Sequence, residues 1–270
     1  MHENDPDMPK LSICIPTYGR LPYLKELLHN LLQQVEDMPC GAVEVLVSDN
    51  CSPDGTACYL HTLGQPFFHW WTNEVNIGGD RNFQKCIQEA HGEYVWLLGD
   101  DDLIVEQAVA RVLDTIVREG PDLIVATATE GESALYAGYR DFLLASCRKN
   151  PRAAMAHTLI SANIFRRSVF DLSFAKAKLK TQYAHMFGLM KGMSGSIRTL
   201  PHLVSERAVR APFEKVPSFL CVKQALYLWF LASRFNVPRF RLYAVKNACN
   251  LPMEFLSRLK NTICGKPNAV

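Results

Sequence analysis

Apolar and polar positions along the chain follow two alternating rhythms. Residues 11–15 form a short apolar, partly β-branched run that Pro16 ends, which predicts a buried strand followed by a turn. Apolar residues then recur at 24, 27, 28, 31, 32 and 35, a helical spacing, and Pro22 sits where a first-turn proline is tolerated. The alternation continues with a strand at 43–47, a polar turn through Ser52 and Thr56, a strand at 67–71 and a loop at 73–79. A helix is predicted over 80–90 with Phe83, Ile87 and Ala90 inward. The next strand, 94–98, is stopped by Gly99-Asp100-Asp101-Asp102, and a helix at 105–117 and a fifth strand at 123–126 follow. From 130 to 150 the pattern is weak, and 153–170 reads either as a strand-turn or as a helix.

Strands separated by helices need crossover connections, so the pattern predicts an α/β fold with a mostly parallel sheet flanked by helices. Ligands of such sheets bind beyond the carboxyl ends of the strands. Pro16-Thr17-Tyr18, Asp49-Asn50 and the run Asp100, Asp101, Asp102 should therefore share one rim.

Composition narrows the class. With 48% hydrophobic and 21% charged residues in 270, the chain is globular rather than disordered. No apolar run approaches the ~20 residues of a membrane span; the longest, 219–232, is interrupted by Lys223 and Gln224. The first ten residues are polar and acidic, unlike a signal peptide. Nine cysteines include no Cys-x-x-Cys pair, which argues against a zinc ribbon or a thioredoxin-type site and for a reduced, cytoplasmic protein.

Charge is unevenly spread. From Glu206 onward eleven Lys/Arg face three Glu, a net of +8, so the first 205 residues carry a net of −6. Two parts are expected: residues 1–205 as the core-bearing domain, and 206–270 as a basic, aromatic, helical extension. Cations interleaved with Phe, Trp and Tyr suit an anionic membrane surface. Nucleic acid is the rival partner of a basic segment, but no nucleic-acid motif is present, and it is not expected. A solvated extension packed on the main domain remains the plain alternative.

Three consecutive aspartates after an apolar strand repel one another unless a cation neutralises them. Hard oxygen ligands suit Mg²⁺ or Mn²⁺, which take one or two carboxylates and complete their shell with substrate phosphates. The competing reading is a helix N-terminus, where Asp is favoured, above all for Asp102. Asp49 could receive hydrogen bonds from a base or ribose, or close an Asx-turn. Asn76-x-Gly78-Gly79-Asp80-Arg81-Asn82 brings backbone-exposing residues into a helix start, which could hold a diphosphate by amides and one guanidinium. It fits neither the dinucleotide fingerprint nor the P-loop.

Four blocks together carry a family resemblance: Leu11-Ser-Ile-Cys-Ile-Pro-Thr-Tyr-Gly-Arg20; Val45-Leu-Val-Ser-Asp-Asn50 with Asp54-Gly-Thr56; Asn76-Ile-Gly-Gly-Asp-Arg-Asn82; and Gly92-Glu-Tyr with Asp100-Asp-Asp102. Their order and spacing over about the first 105 residues resemble the family 2 glycosyltransferases of GT-A (Rossmann-like) fold. Leu97-Leu-Gly-Asp-Asp-Asp102 and Tyr183-Ala-His-Met186 are most similar to abequosyltransferase-type enzymes of bacterial O-antigen assembly. The resemblance implies a UDP-, GDP- or CDP-sugar donor, with Pro16, Thr17, Tyr18 and Arg20 around base and ribose and Asp49 on the base edge. It implies Asp80 and Arg81 near the base or diphosphate, Asp100 on the ribose side, Asp101 as main metal ligand with Asp102 in support, and His185 towards metal or diphosphate. His185 packed on an amphipathic helix is the alternative. Gly99 stands where the common Asp-x-Asp-Asp form has its first Asp, so which carboxylate meets ribose and which meets metal stays open.

An inverting enzyme of this kind also needs a carboxylate to take the acceptor's proton. Between Arg152 and Ser205 the only acidic residue is Asp171. Asp171 is the candidate base; Glu130, Glu132 and Asp141 from the weak segment are the alternatives, as is a reaction that is not an ordinary inversion. The resulting expectation is a metal-dependent glycosyltransferase acting on a lipid-linked glycan, peripheral on the inner face of the cytoplasmic membrane, in bacterial surface-polysaccharide (O-antigen) biosynthesis. A nucleotidyltransferase fits the strand-end blocks poorly. A degenerate GT-A protein that binds glycan or membrane without turnover is the non-enzymatic alternative.

Overall fold

The structure is a computed structural model that describes residues 8–127, 133–149, 159–176 and 184–205. It divides into two compact units, and the helix α5 introduced below belongs to the second. The expected extension over 206–270 lies outside the described residues, as do Glu130, Glu132 and Tyr183.

The first unit opens as the pattern predicts. Strand β1 (Leu11–Thr17) leads to α1 (Leu21–Glu36), β2 (Val43–Asp49), the short α2 (Thr56–Leu60), β3 (Phe68–Thr72), α3 (Gly79–Glu89) and β4 (Tyr94–Leu97). Then come β5 (Leu103–Ile104), α4 (Ala108–Glu119), β6 (Leu123–Thr127) and β7 (Ala134–Tyr136). In the second unit α5 spans Tyr139–Lys149, with the Tyr139 and Phe142 rings 5.7 Å apart. Back in the first unit are β8 (Asn163–Arg166), α6 (Leu172–Lys176), α7 (Ala184–Gly192), β9 (Ile197–Pro201) and β10 (Val204–Ser205), with 3₁₀ turns at Ile160–Ala162 and Arg167–Val169.

Among the described residues eight strands form one sheet in the order β3-β2-β1-β4-β8-β6-β9-β7. The first four are mutually parallel, the crossover geometry expected of the strand–helix alternation. The other half differs from expectation. The fifth predicted strand, β6, does not join β4; β8 lies between them and is antiparallel to both. The sheet is thus parallel where the strand-end loops cluster and mixed beyond.

Packing explains the periodicity. Leu11, Ile13 and Ile15 of β1, Val43, Val45 and Val47 of β2, and Trp96 of β4 share one core with Leu24, Leu27, Leu28, Leu31, Leu32 and Val35 of α1 and Val109, Val112 and Ile116 of α4. Each such side chain, fully buried, contributes about 1.5–3 kcal/mol. The other face of β1 and β2 carries α3, where the Cys14 thiol donates to the Cys86 carbonyl at 3.6 Å. Burial pushes both thiols up, Cys86 to about 12, so they serve as small apolar groups. With both faces covered, β1 and β2 are buried nearly throughout.

Two of the family-like blocks are structural braces. Arg20 supplies no side-chain cap to α1; instead Asp54 accepts the Leu21 amide at 2.9 Å from the loop after β2. A Cβ at Gly92 would lie 2.6 Å from both the amide and the hydroxyl of Ser12, so only glycine lets the chain enter β4 there.

Candidate functional site

The carboxyl ends of β1, β2 and β4 open into a cleft of about 630 Å³. Pro16, Thr17, Tyr18 and Arg20 line it after β1, Asn50 after β2, and Asp100 after β4. Asn76, Gly78, Gly79, Asp80, Asn82 and Phe83 line it at the start of α3, and Leu159, Ile160 and His185 from later in the chain. Among the residues expected at the site, Pro16, Thr17, Tyr18, Arg20, Asp80, Asp100 and His185 thus meet in one cavity.

The acidic run is not a helix cap. The helix predicted from 105 begins at Ala108, and β5, paired antiparallel with β10, separates it from Asp102. Each aspartate has its own environment. Asp100 is buried; its Oδ2 accepts the Thr17 hydroxyl at 2.7 Å and its Oδ1 the Arg20 Nη1 at 3.1 Å. The same Arg20 nitrogen reaches Asp101 Oδ2 at 2.9 Å. Asp102 accepts the hydroxyl of Ser161, whose oxygen accepts the Gly99 amide at 2.8 Å.

Burial pushes the Asp100 carboxyl above its ordinary value, against the pull of Thr17 and Arg20. Asp102 is raised by burial too; Ser161 opposes the shift, while Asp101 and Asp100 add to it. For Arg20 burial works against the charge, but Asp100 and Asp101 outweigh it and its pKa rises. The run is therefore a strained concentration of negative charge held by one guanidinium, one threonine and one serine. Ser161 carried no sequence signal, since it falls in the ambiguous stretch 153–170.

The opposite wall is a ladder of amides. Asn50 donates to Asn76 Oδ1 at 2.8 Å and accepts the Ile77 amide at 2.9 Å. Asn73 donates to Asn50 and to Asn82, at 3.1 and 2.8 Å, and Asn82 also accepts the Ser48 hydroxyl at 2.7 Å. Lys85 anchors the ladder at Asn73 Oδ1, 2.7 Å away. These bonds hold the Asn76–Gly79 loop against the strand ends. Asn50 is expected on the rim beside Asp49, though without a role of its own, and Asn73 only as the start of the 73–79 loop.

Other expected residues sit differently. Asp49 is fully buried, its Oδ1 accepting the Ser52 amide and its Oδ2 the Thr72 hydroxyl, both at 3.1 Å, and Asn50 is the residue that lines the cleft at this strand end. Arg81 is exposed in the first turn of α3, outside the cleft lining. Asp171 also lies outside it; its Oδ1 accepts the Phe174 amide at 2.8 Å and the Ser173 hydroxyl at 2.6 Å, capping α6. Asp141 is an exposed residue of α5. His185 is 4% exposed on α7, its ring edge-on to Phe83 with centroids 5.5 Å apart.

Among the described residues no three His, Cys, Asp or Glu converge as a metal cage, and His185 does not join Asp101 and Asp102 in one. An ion that takes one or two carboxylates and completes its shell with phosphates and water needs no such cage. Two carboxylate oxygens already converging on one cationic nitrogen, with Asp101 partly exposed, form a hard-oxygen donor set that fits Mg²⁺ or Mn²⁺.

Fold and cleft together define an α/β domain of GT-A type with an open cleft at the strand ends. Residues 12–173, more than half of the chain, match the Glycosyl transferase family 2 model, and the chain belongs to that family. It is similar to the abequosyltransferase RfbV of Salmonella typhimurium, 35% identical over 124 residues, 44% of this chain and 36% of that protein. It is likewise similar to the poly(ribitol-phosphate) β-N-acetylglucosaminyltransferase TarS of Staphylococcus aureus, 34% identical over 122 residues, 44% of this chain and 21% of that one. The match therefore spans about a third and a fifth of these relatives. Among solved structures, S. aureus TarS 1–349 in complex with UDP-GlcNAc shares the fold at a TM-score of 0.56 and 19% identity, covering 93% of this chain and 83% of that one. The mannosyltransferase PcManGT of Pyrobaculum calidifontis, in complex with GDP-Man and Mn²⁺, does so at 0.56 and 17%, covering 96% and 81%.

Proposed function

We propose that the chain is a metal-dependent glycosyltransferase that moves a sugar from a nucleotide-diphosphate donor to a lipid-linked glycan in bacterial surface-polysaccharide (O-antigen) biosynthesis. One observation carries the reading: a cleft of about 630 Å³ brings together the strand-end loops, Asp100 at the head of the acidic run and the glycine-rich start of α3. That volume lies within the ~300–1,000 Å³ of small-molecule sites. Family membership and relatives named for glycan transfer support it.

In this reading Pro16, Thr17 and Tyr18 border base and ribose, and Asn50, which lines the cleft where Asp49 is buried, meets the base edge. The amides of Gly79 and Asp80, at the start of α3, hold the diphosphate. Thr17 keeps Asp100 in place beside the ribose. Asp101, supported by Asp102, would hold Mn²⁺ or Mg²⁺, and His185, which lines the cleft with Asp100, would lie towards the diphosphate. The bound ion supplies positive charge against the charge growing on the departing nucleoside diphosphate. Asp171 takes the proton of the acceptor hydroxyl as that oxygen attacks the sugar carbon.

No helix among the described residues is long and apolar enough to cross a membrane. The membrane half of the proposal, a peripheral position on the inner face of the cytoplasmic membrane, rests on the basic, aromatic residues 206–270. Deleting them should weaken attachment to anionic vesicles more than donor hydrolysis; equal vesicle binding by a folded truncate overturns that role.

The deciding experiment incubates the full chain with UDP-, GDP- and CDP-sugars, with and without Mn²⁺ and lipid-linked acceptor. Metal-dependent release of one nucleoside diphosphate, accelerated by acceptor, is the expected result. Donor binding with no release under any condition overturns it in favour of a degenerate GT-A protein that binds without turnover.

A further inference from the structure

Arg20 was expected at the base and ribose, yet its guanidinium lies on the acidic run. A single nitrogen, Nη1, stands 3.1 Å from Asp100 Oδ1 and 2.9 Å from Asp101 Oδ2. Two oxygens of successive residues thus converge on one positively charged point. The ion that the reading above gives to Asp101 would meet the same concentration of negative charge that now holds the guanidinium.

We propose that Arg20 and the divalent ion are alternative counter-charges for these two oxygens, so that metal binding has to release the guanidinium. The inference rests on the metal-dependent reading above. The partners differ in freedom. The Asp100 side chain is 8% exposed and its other oxygen is held by Thr17, whereas the Arg20 side chain is half-exposed. Arg20 is therefore the part that moves. Both groups cannot share the oxygens, because a guanidinium and a divalent ion at one point repel each other.

Release has a consequence for the donor. Arg20 lines the cleft, so a guanidinium freed from Asp100 and Asp101 stays where a diphosphate would lie, and its planar fork suits phosphate oxygens. Metal binding then prepares an arginine for the donor, and donor binding, by drawing Arg20 away, strengthens metal binding. The coupling is reciprocal.

The test measures Mn²⁺ affinity of the full chain by electron paramagnetic resonance, without donor or acceptor. Arg20→Gln should bind Mn²⁺ roughly 1.5- to fivefold more tightly than the wild type, the range set by partly exposed ion pairs. Arg20→Met, neutral and similar in length, gives the same reading from a second side chain, and Arg20→Lys, which keeps the charge, should stay near the wild type. Asp101→Asn should lose the Mn²⁺ signal. Equal affinity in wild type and both neutral variants, with loss in Asp101→Asn, overturns the competition and leaves the metal site standing. No Mn²⁺ binding by any variant, the neutral ones included, overturns both.

Discussion

Ser161 donates its hydroxyl to the Asp102 carboxylate, joining a residue of the 3₁₀ turn before β8 to the last aspartate of the acidic run. The same oxygen accepts the Gly99 amide at 2.8 Å, so one buried serine fixes both ends of the four-residue turn. Ser161→Ala leaves a part-buried amide and a part-buried carboxylate each short of a partner. The expected cost is about 1–3 kcal/mol, read as a melting temperature lower by several degrees. A melting temperature equal to that of the wild type would show that the bond contributes nothing.

Gly99 stands where the common family form has an aspartate. A Cβ there would lie 2.9 Å from Asp102 Oδ2 and 3.3 Å from both Asp101 Oδ1 and the Ser161 hydroxyl. Gly99→Asp must therefore push Asp102 off Ser161 and adds a fourth carboxylate to a site that already lacks counter-charge. Restoring the common motif should reduce stability by roughly 1–3 kcal/mol and lower donor turnover. A Gly99→Asp protein as stable and as active as the wild type would mean that the turn relaxes freely.

The parallel half of the sheet was legible because its signals are periodic. The six apolar positions read from α1 are the six that the helix buries, and Phe83, Ile87 and Ala90 are buried as their spacing implied. What escaped was set by partners distant in sequence. Strand β8 is four residues long, too short for a period to show, and its place between β4 and β6 is fixed by pairing with both. The residues Leu103 and Ile104 look like the approach to a helix, yet they pair with Val204 and Ser205, and so α4 starts three residues later than expected. At the site, the strand-end loops were legible from fold logic alone. That Asp49 turns inward depends on Thr72 and Ser52, and that Arg20 meets the aspartates depends on how two strand ends are juxtaposed. Neither shows in the local sequence.

Asp54 ties the loop after β2 to the start of α1. Burial would raise its pKa, but bonds from the Thr56 hydroxyl and the Leu21 and Thr56 amides outweigh it and the pKa is lowered. A carboxyl with a folded pKa below its unfolded value stabilises the fold above the unfolded pKa, and that stability disappears as pH falls through the folded one. Asp54→Ala should thus cost up to about 1 kcal/mol at pH 7, water weakening so exposed a cap. The gap to the wild type should hold down to about pH 4 and close below it. Urea melts of both proteins from about pH 7 down to about pH 2.5, spanning the carboxylate range, read this directly. A gap that widened in acid would exclude the carboxylate as its source.

Asp171 is asked to do two things: cap α6 and take the acceptor's proton. Its Oδ1 accepts the Phe174 amide at 2.8 Å, and its own amide donates to the Gly188 carbonyl at 3.0 Å, which fastens α6 to α7, the helix that carries His185. The two roles separate by substitution. Asparagine caps a helix about as well as aspartate, so Asp171→Asn should keep the fold within ~0.5 kcal/mol while removing the basic oxygen. If Asp171 is the base, sugar transfer falls by at least about 100-fold while donor binding stays at the wild-type level. Asp171→Ala should lose the rate and also about 1 kcal/mol of stability. The informative outcome is the asparagine variant. Transfer at the wild-type rate there confines Asp171 to its cap and moves the proton acceptor to Glu130, Glu132 or Asp141. Transfer lost with the fold and the donor site intact leaves the base at the start of α6, beside the helix whose His185 lines the cleft.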